Sequence, residues 1–108
     1  MAIRRLAQMR ADKGKIAVSS TKAAHGHSLG AAGSVEFIAT VLAMQRSMVP
    51  PTLGLENAAP AFNDLDLVRH AARPQRIRLG LSNSFAFGGN VAAIAVASPN
   101  EPEQVGEG

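Results

Sequence analysis

The stretch from Ile16 to Met44 narrows the folds open to this chain more than any other. A short apolar run of Ile16, Ala17 and Val18 leads into Ser19, Ser20, Thr21, Lys22, Ala23, Ala24, His25, Gly26 and His27. Then come Ser28, Leu29, Gly30, Ala31, Ala32 and Gly33, and after them Val35, Phe37, Ile38, Val41, Leu42 and Met44 recur at helical spacing. That order predicts a strand over 15–20, a polar turn, and a helix over 28–46. Gly30 and Gly33 each cost roughly 1 kcal/mol against alanine in a helix interior, so the helix start is expected to press against a neighbour. Helix starts offer unpaired N–H groups and positive partial charge, and glycines let a ligand approach the backbone. Chemistry in this chain should therefore centre on Lys22 and His27, five residues apart across the turn. An imidazole at a helix N-terminus favours the neutral, hydrogen-bond-donating form that can polarise a carbonyl. A capping lysine and a structural histidine would satisfy the same spacing. Glu36, beside Phe37 in an apolar setting, sits either at the solvent edge or paired inside.

Around this centre the chain reads in order. Residues 1–12 form an amphipathic helix with Ile3, Leu6 and Met9 on one side and arginines on the other, stopped near Gly14. Pro50 and Pro51 end the long helical region, and 50–63 is a loop punctuated by Asn57, Pro60 and Asn63. Residues 65–68 are a short extended segment, and 69–76 are basic and interrupted by Pro74. A strand over 77–82 alternates, with Ile77, Leu79 and Leu81 expected on its buried face. A second runs over 91–97, and Gly88 and Gly89 between them mark a hairpin turn. From Ser98 the tail is rich in Pro, Glu and Gly and is expected to be disordered. The domain reading is a helix and turn over 1–14, a folded domain over 15–97, and a tail over 98–108.

Composition removes whole classes of function. The 108 residues suffice for one domain. There is no cysteine, hence no disulfide, thiolate metal site or cysteine nucleophile. Four Phe with no Trp or Tyr leave little for stacking nucleic-acid bases. The net charge is +3, and the arginines cluster as Arg4, Arg5 and Arg10, and as Arg69, Arg73, Arg76 and Arg78. These read as solvated faces or as attraction for an acidic partner. His25 and His27 are a metal half-site without a third ligand nearby, since His70 lies in another segment. No P-loop or dinucleotide fingerprint occurs. No signal peptide or membrane-length apolar run is visible, so a cytoplasmic chain without membrane or nucleic-acid partners is expected. Phe85 and Phe87 beside Gly88 and Gly89 either form a backbone anion nest or simply fill the core.

Two long motifs stand in a fixed order. The first is Val18, Ser19, Ser20, Thr21, Lys22, Gly26, His27, Gly30, Ala31, Ala32, Gly33 and Glu36. Pro50, Pro51 and Thr52 follow, and then Ser82, Asn83, Ser84, Phe85, Phe87, Gly88 and Gly89. Over 15–97 this pattern resembles the C-terminal part of a β-ketoacyl-[acyl carrier protein] synthase, a condensing enzyme with the thiolase-like fold. The resemblance implies an α/β class, here a partial thiolase-like lobe with a mixed β-sheet of about three strands packed on one long helix. It implies that His27 is the second catalytic histidine, assisting malonyl decarboxylation and stabilising the enolate, and that Lys22 orders the active-site network. Glu36 would bond into that network. Phe87 would be the gating phenylalanine, with Phe85, Gly88 and Gly89 in the same loop. Two positions depart from the pattern: His25 where many relatives carry Thr, and Val91 where they commonly carry Asn.

The implied partners are an acyl carrier protein bearing acyl or malonyl groups, and either a chain supplying the nucleophilic cysteine and first histidine or further copies of this one. No cofactor is implied. The implied activity is decarboxylative Claisen condensation in fatty-acid or polyketide synthesis. The alternative is a non-catalytic remnant or an interaction subunit resembling a chain-length factor.

Overall fold

A computed structural model describes residues 2–9, 16–62 and 64–99. The end of the helix expected over 1–12, its stop at Gly14, Asn63 and the tail from 100 onward lie outside the described residues. The chain divides into two compact units, Met1–His25 with Val49–Arg73, and Gly26–Met48 with Pro74–Gly108. Two short strands, β2 (Met48–Val49) and β4 (Arg73–Pro74), carry two of the three crossings between them.

In the first unit, α1 (Ala2–Met9) precedes β1 (Ala17–Val18), which pairs in parallel with β3 (Asp66–Leu67). The expected strand over 15–20 is thus only two residues deep. Parallel pairing joins segments distant in sequence, and here only Ala17 with Asp66 and Val18 with Leu67 find register partners. Val68 extends the link by donating its N–H to the Val18 carbonyl at 3.0 Å. Its side chain is 2 % exposed, the most deeply buried large side chain among the described residues. The loop over 50–62 contains a 3-10 turn at Pro60–Phe62. It is tied down by Arg4, which donates to the Ala61 carbonyl (2.6 Å) and, from Nη2, to Asp64 (2.7 Å). A one-turn helix, α2 (Lys22–His25), follows β1 in this unit.

The second unit is built on α3 (Ala32–Arg46) and the antiparallel hairpin of β5 (Leu79–Phe85) and β6 (Val91–Ala97). The hairpin runs through seven register pairs from Leu79 opposite Ala97 to Phe85 opposite Val91. At the C-terminal end of the helix Ser47 adopts a left-handed conformation (φ 52°) and donates its N–H to the Ala43 and Met44 carbonyls, closing the helix before the prolines are reached. The helix begins four residues later than its spacing predicts. Leu29 sits at φ 51°, outside right-handed helical geometry, so Leu29–Ala31 form a separate 3-10 turn.

The alternation expected of the first hairpin strand is present, but with the faces exchanged. Gly80, Ser82 and Ser84 are the sheltered positions. Leu79 and Leu81 are 62 % and 42 % exposed. Close approach of α3 is the reason. A Cβ at Gly80 would lie 2.9 Å from Thr40 Cγ2 and 3.1 Å from Met44 Sδ, so the helix can pack only on the face that carries the small residues. The molecule is accordingly mixed α/β, with small sheets and one long helix. Of the three expected strands only β5 packs on α3; β6 joins as the hairpin partner of β5, and β1 pairs instead with β3. Ile38 and Leu42 on α3 are exposed, an apolar helix face left open to solvent.

Candidate functional site

Lys22 is half-buried at the start of α2, and the turn that carries it is held by polar atoms. The Thr21 carbonyl accepts from the N–H groups of Ala24 (2.9 Å) and His25 (3.3 Å). Its hydroxyl is hydrogen-bonded to His25 Nε2 at 2.7 Å. One residue earlier, the Ser20 N–H donates to Thr52 Oγ1 at 2.9 Å. Gly26 follows α2 at φ 87°, the left-handed conformation that terminates helices and suits glycine. The strand therefore does not pass straight into the long helix. A single helical turn is inserted first, because Thr21 offers its carbonyl to two following amides.

His27 lies in the second unit and is exposed. The Leu29 N–H donates to its Nδ1 at 3.1 Å. A neutral imidazole has one acceptor and one donor nitrogen. With Nδ1 accepting, the proton resides on Nε2, which is left as an N–H donor. The backbone contact of His27 is with the Leu29 amide; the N-terminus of α3, which begins at Ala32, is not what holds the ring. The left-handed Leu29 that delays the helix is the same residue that orients the imidazole.

The hairpin loop over 86–90 is closed by Ala86 N–H donating to the Asn90 carbonyl (2.8 Å) and Gly89 N–H to the Ala86 carbonyl (3.3 Å). Gly88 and Gly89 sit at φ 89° and 90°, a conformation that L side chains adopt only with strain. Phe87 is 99 % exposed and Phe85 78 % exposed, so neither fills a core. Val91, at the departing position, stands opposite Phe85 across the hairpin and is also exposed. A Cβ at Gly33 would be 3.5 Å from Ser84 Oγ. That contact sets the first turn of α3 against the loop end of β5, so the segment leading from His27 and the loop of Phe87 share one end of this unit. Glu36 is half-buried one turn further along α3, and its carbonyl accepts from the Thr40 hydroxyl at 2.9 Å. Lys22 belongs to the other unit.

Several arginines that read as solvated charge are structural. Arg73 grips Asp66 with two bonds, Nη1 to Oδ2 at 2.7 Å and Nη2 to Oδ1 at 2.8 Å. Hydrogen bonding to that carboxylate raises the guanidinium pKa above its ordinary value. Asp64 does the same for Arg4, which it also meets through Nε. Arg69 donates to the Glu56 carbonyl at 2.8 Å. Sequence reasoning missed these pairings because Asp66 and Arg73 are separated by seven positions with no helical periodicity. Among the described residues no three His, Cys, Asp or Glu side chains form a group that could hold a metal ion. None of the described helices is long and apolar enough to cross a membrane.

Comparison with known proteins fits this arrangement. Residues 1–56 match the β-ketoacyl synthase C-terminal domain. The chain is 50 % identical over 80 residues to 3-oxoacyl-[acyl-carrier-protein] synthase 2 of Rhizobium meliloti, covering 74 % of this chain and 19 % of that protein. It is 51 % identical over 79 residues to the enzyme of the same name from Mycobacterium tuberculosis, covering 73 % and 19 %. With the mitochondrial 3-oxoacyl-[acyl-carrier-protein] synthase of Arabidopsis thaliana the figure is 40 % over 97 residues, covering 90 % and 21 %. The chain thus spans about a fifth of the length of the curated relatives it matches. On the motifs around Lys22 and His27 and on these matches, the chain belongs to the β-ketoacyl synthase family and corresponds to the C-terminal part of such an enzyme.

Proposed function

We propose that this chain supplies the C-terminal share of a β-ketoacyl-[acyl carrier protein] synthase active site, for decarboxylative condensation of acyl and malonyl thioesters in fatty-acid synthesis. The observation that carries the reading is the His27 ring, whose Nδ1 accepts the Leu29 N–H and whose Nε2 is thereby left a donor. When a malonyl thioester loses carbon dioxide, negative charge develops on the thioester oxygen. In this reading the His27 donor meets that charge, and a donor held in place beforehand stabilises a transition state without reorganisation. In this reading Lys22 and Glu36 order the surrounding network. Phe87 gates entry of the acyl chain from a loop in which Phe85 is exposed beside it and Gly88 and Gly89 take positive φ.

The sequence contains no cysteine, so the acyl group would be held on a residue outside it, together with the first histidine. The substrates would be delivered on an acyl carrier protein in the cytoplasm, and 15–97 would complete a thiolase-like lobe with the remaining synthase elements. Val91, where relatives commonly carry Asn, favours a second reading, a non-catalytic remnant or a subunit resembling a chain-length factor.

The test is purification of the native complex followed by malonyl decarboxylation assays on the parent and on His27→Ala. Loss of one such donor should lower the rate roughly 10²- to 10³-fold. An unchanged rate would remove His27 from the chemistry, and a chain that purifies without any cysteine-bearing polypeptide would favour the second reading.

A further inference from the structure

Thr52 makes three connections, all within one unit. Its N–H donates to the Val68 carbonyl at 2.9 Å, and it bridges Arg69 in parallel register. Its Oγ1 accepts the Ser20 N–H at 2.9 Å. The β1–β3 ladder stops at Val18 and Leu67, so beyond it the backbone of Ser20 has no strand partner in that ladder. Ser20 is exposed, and the side chain of Thr52 takes the place of the missing carbonyl. Thr52 is suited to this because it is β-branched and stiff at χ1, and because Pro50 and Pro51 before it restrict the backbone to extended geometry. The next residue after Ser20 is Thr21, whose carbonyl opens the turn carrying Lys22.

We propose that Thr52 is a positioning residue for Lys22: its hydroxyl fixes the backbone at Ser20 and so sets where the lysine-bearing turn leaves the strand. This rests on reading Lys22 as a functional lysine. It concerns one oxygen atom, which separates it from a role in packing.

Site-resolved amide hydrogen exchange on the full chain tests it, comparing the parent with Thr52→Val and Thr52→Ser. In the parent, the Ser20 amide should exchange about tenfold more slowly than an unbonded loop amide, the scale of one hydrogen bond. Thr52→Val keeps the shape and removes the acceptor, so Ser20 should lose that protection while Val68, bonded to the Val18 carbonyl, keeps its own. Thr52→Ser keeps the acceptor and loses the methyl, so Ser20 should remain protected. A packing role gives the opposite order, with Val tolerated and Ser not. Protection of Ser20 that survives in Thr52→Val, or that is lost in Thr52→Ser, overturns the proposal. If Thr52→Val does not fold, an unprotected Ser20 in the parent or in Thr52→Ser is still decisive. Decarboxylation by the native complex separates the two readings. If Lys22→Ala leaves the decarboxylation rate unchanged while the exchange pattern holds, the role of Lys22 falls and the hold of Thr52 on the turn stands.

Discussion

The two units reach order by different means. The one carrying Lys22 has a ladder only two residues deep, and side chains grasping backbone supply much of the rest: Thr52 to Ser20, Arg4 to Ala61, Arg69 to Glu56. Paired Arg and Asp side chains add to this at Arg4 with Asp64 and Arg73 with Asp66. The unit carrying His27 and Phe87 has a seven-pair hairpin and a 15-residue helix. A ladder spreads its stability over many equivalent bonds, whereas a side-chain tie concentrates it in one or two atoms. The lysine turn should therefore respond to loss of single polar atoms, and the histidine and loop end to changes of volume between helix and strand.

The largest effect that would break this contrast is expected at Val68. Trimming it to alanine removes two methyl groups from a nearly sealed position and should cost about 2 kcal/mol. The readout is amide exchange at 17–18 and 66–67, since a chain of two units need not melt as one. Unchanged exchange there would mean that this unit is not organised around Val68.

Gly80→Ala comes next and addresses the other unit. The new methyl would meet Thr40 Cγ2 at 2.9 Å and Met44 Sδ at 3.1 Å. Methionine can swing aside, but Thr40 is held by its own bond to the Glu36 carbonyl. A cost of about 1–2 kcal/mol is expected, seen as faster exchange along 79–85 and 91–97 with 17–18 and 66–67 unaffected. Equal loosening of both sets would erase the distinction between the units.

Gly33→Ala is the smallest and has the opposite sign. Its Cβ would meet Ser84 Oγ at an ordinary 3.5 Å, and alanine is the better helix former by up to about 1 kcal/mol. A gain of a few tenths of that amount in thermal or denaturant unfolding is expected. Destabilisation would show that the helix start is packed more tightly against β5 than that spacing allows.

Much of the fold is legible in the order of the residues. The long helix is visible because Val35, Ile38, Val41 and Leu42 already make a helical stripe. The hairpin is visible because an alternating run and a run of small apolar residues flank a Gly-Gly pair. Lys22, His27 and the loop of Phe87 stand out in the sequence as candidates through their motifs. The one-turn helix at Lys22 is not, because four residues carry too little periodicity to announce it. Thr52 stands out only as part of a motif, since its bond to Ser20 spans 32 positions.

Residue order alone therefore decides local matters: where the helix and hairpin lie, which loop can turn tightly, and which family the motifs belong to. Tertiary structure decides which face of β5 is covered, because alternation defines two faces without ranking them and only the absence of a side chain at Gly80 admits the helix. It also decides the depth of β1 and the acceptor for Ser20, both of which depend on segments remote in the chain. The state of His27 lies between the two. Its partner is only two residues away, yet a left-handed Leu29 is needed to turn that amide onto the ring, and spacing alone does not foretell such a backbone state in a residue with a Cβ.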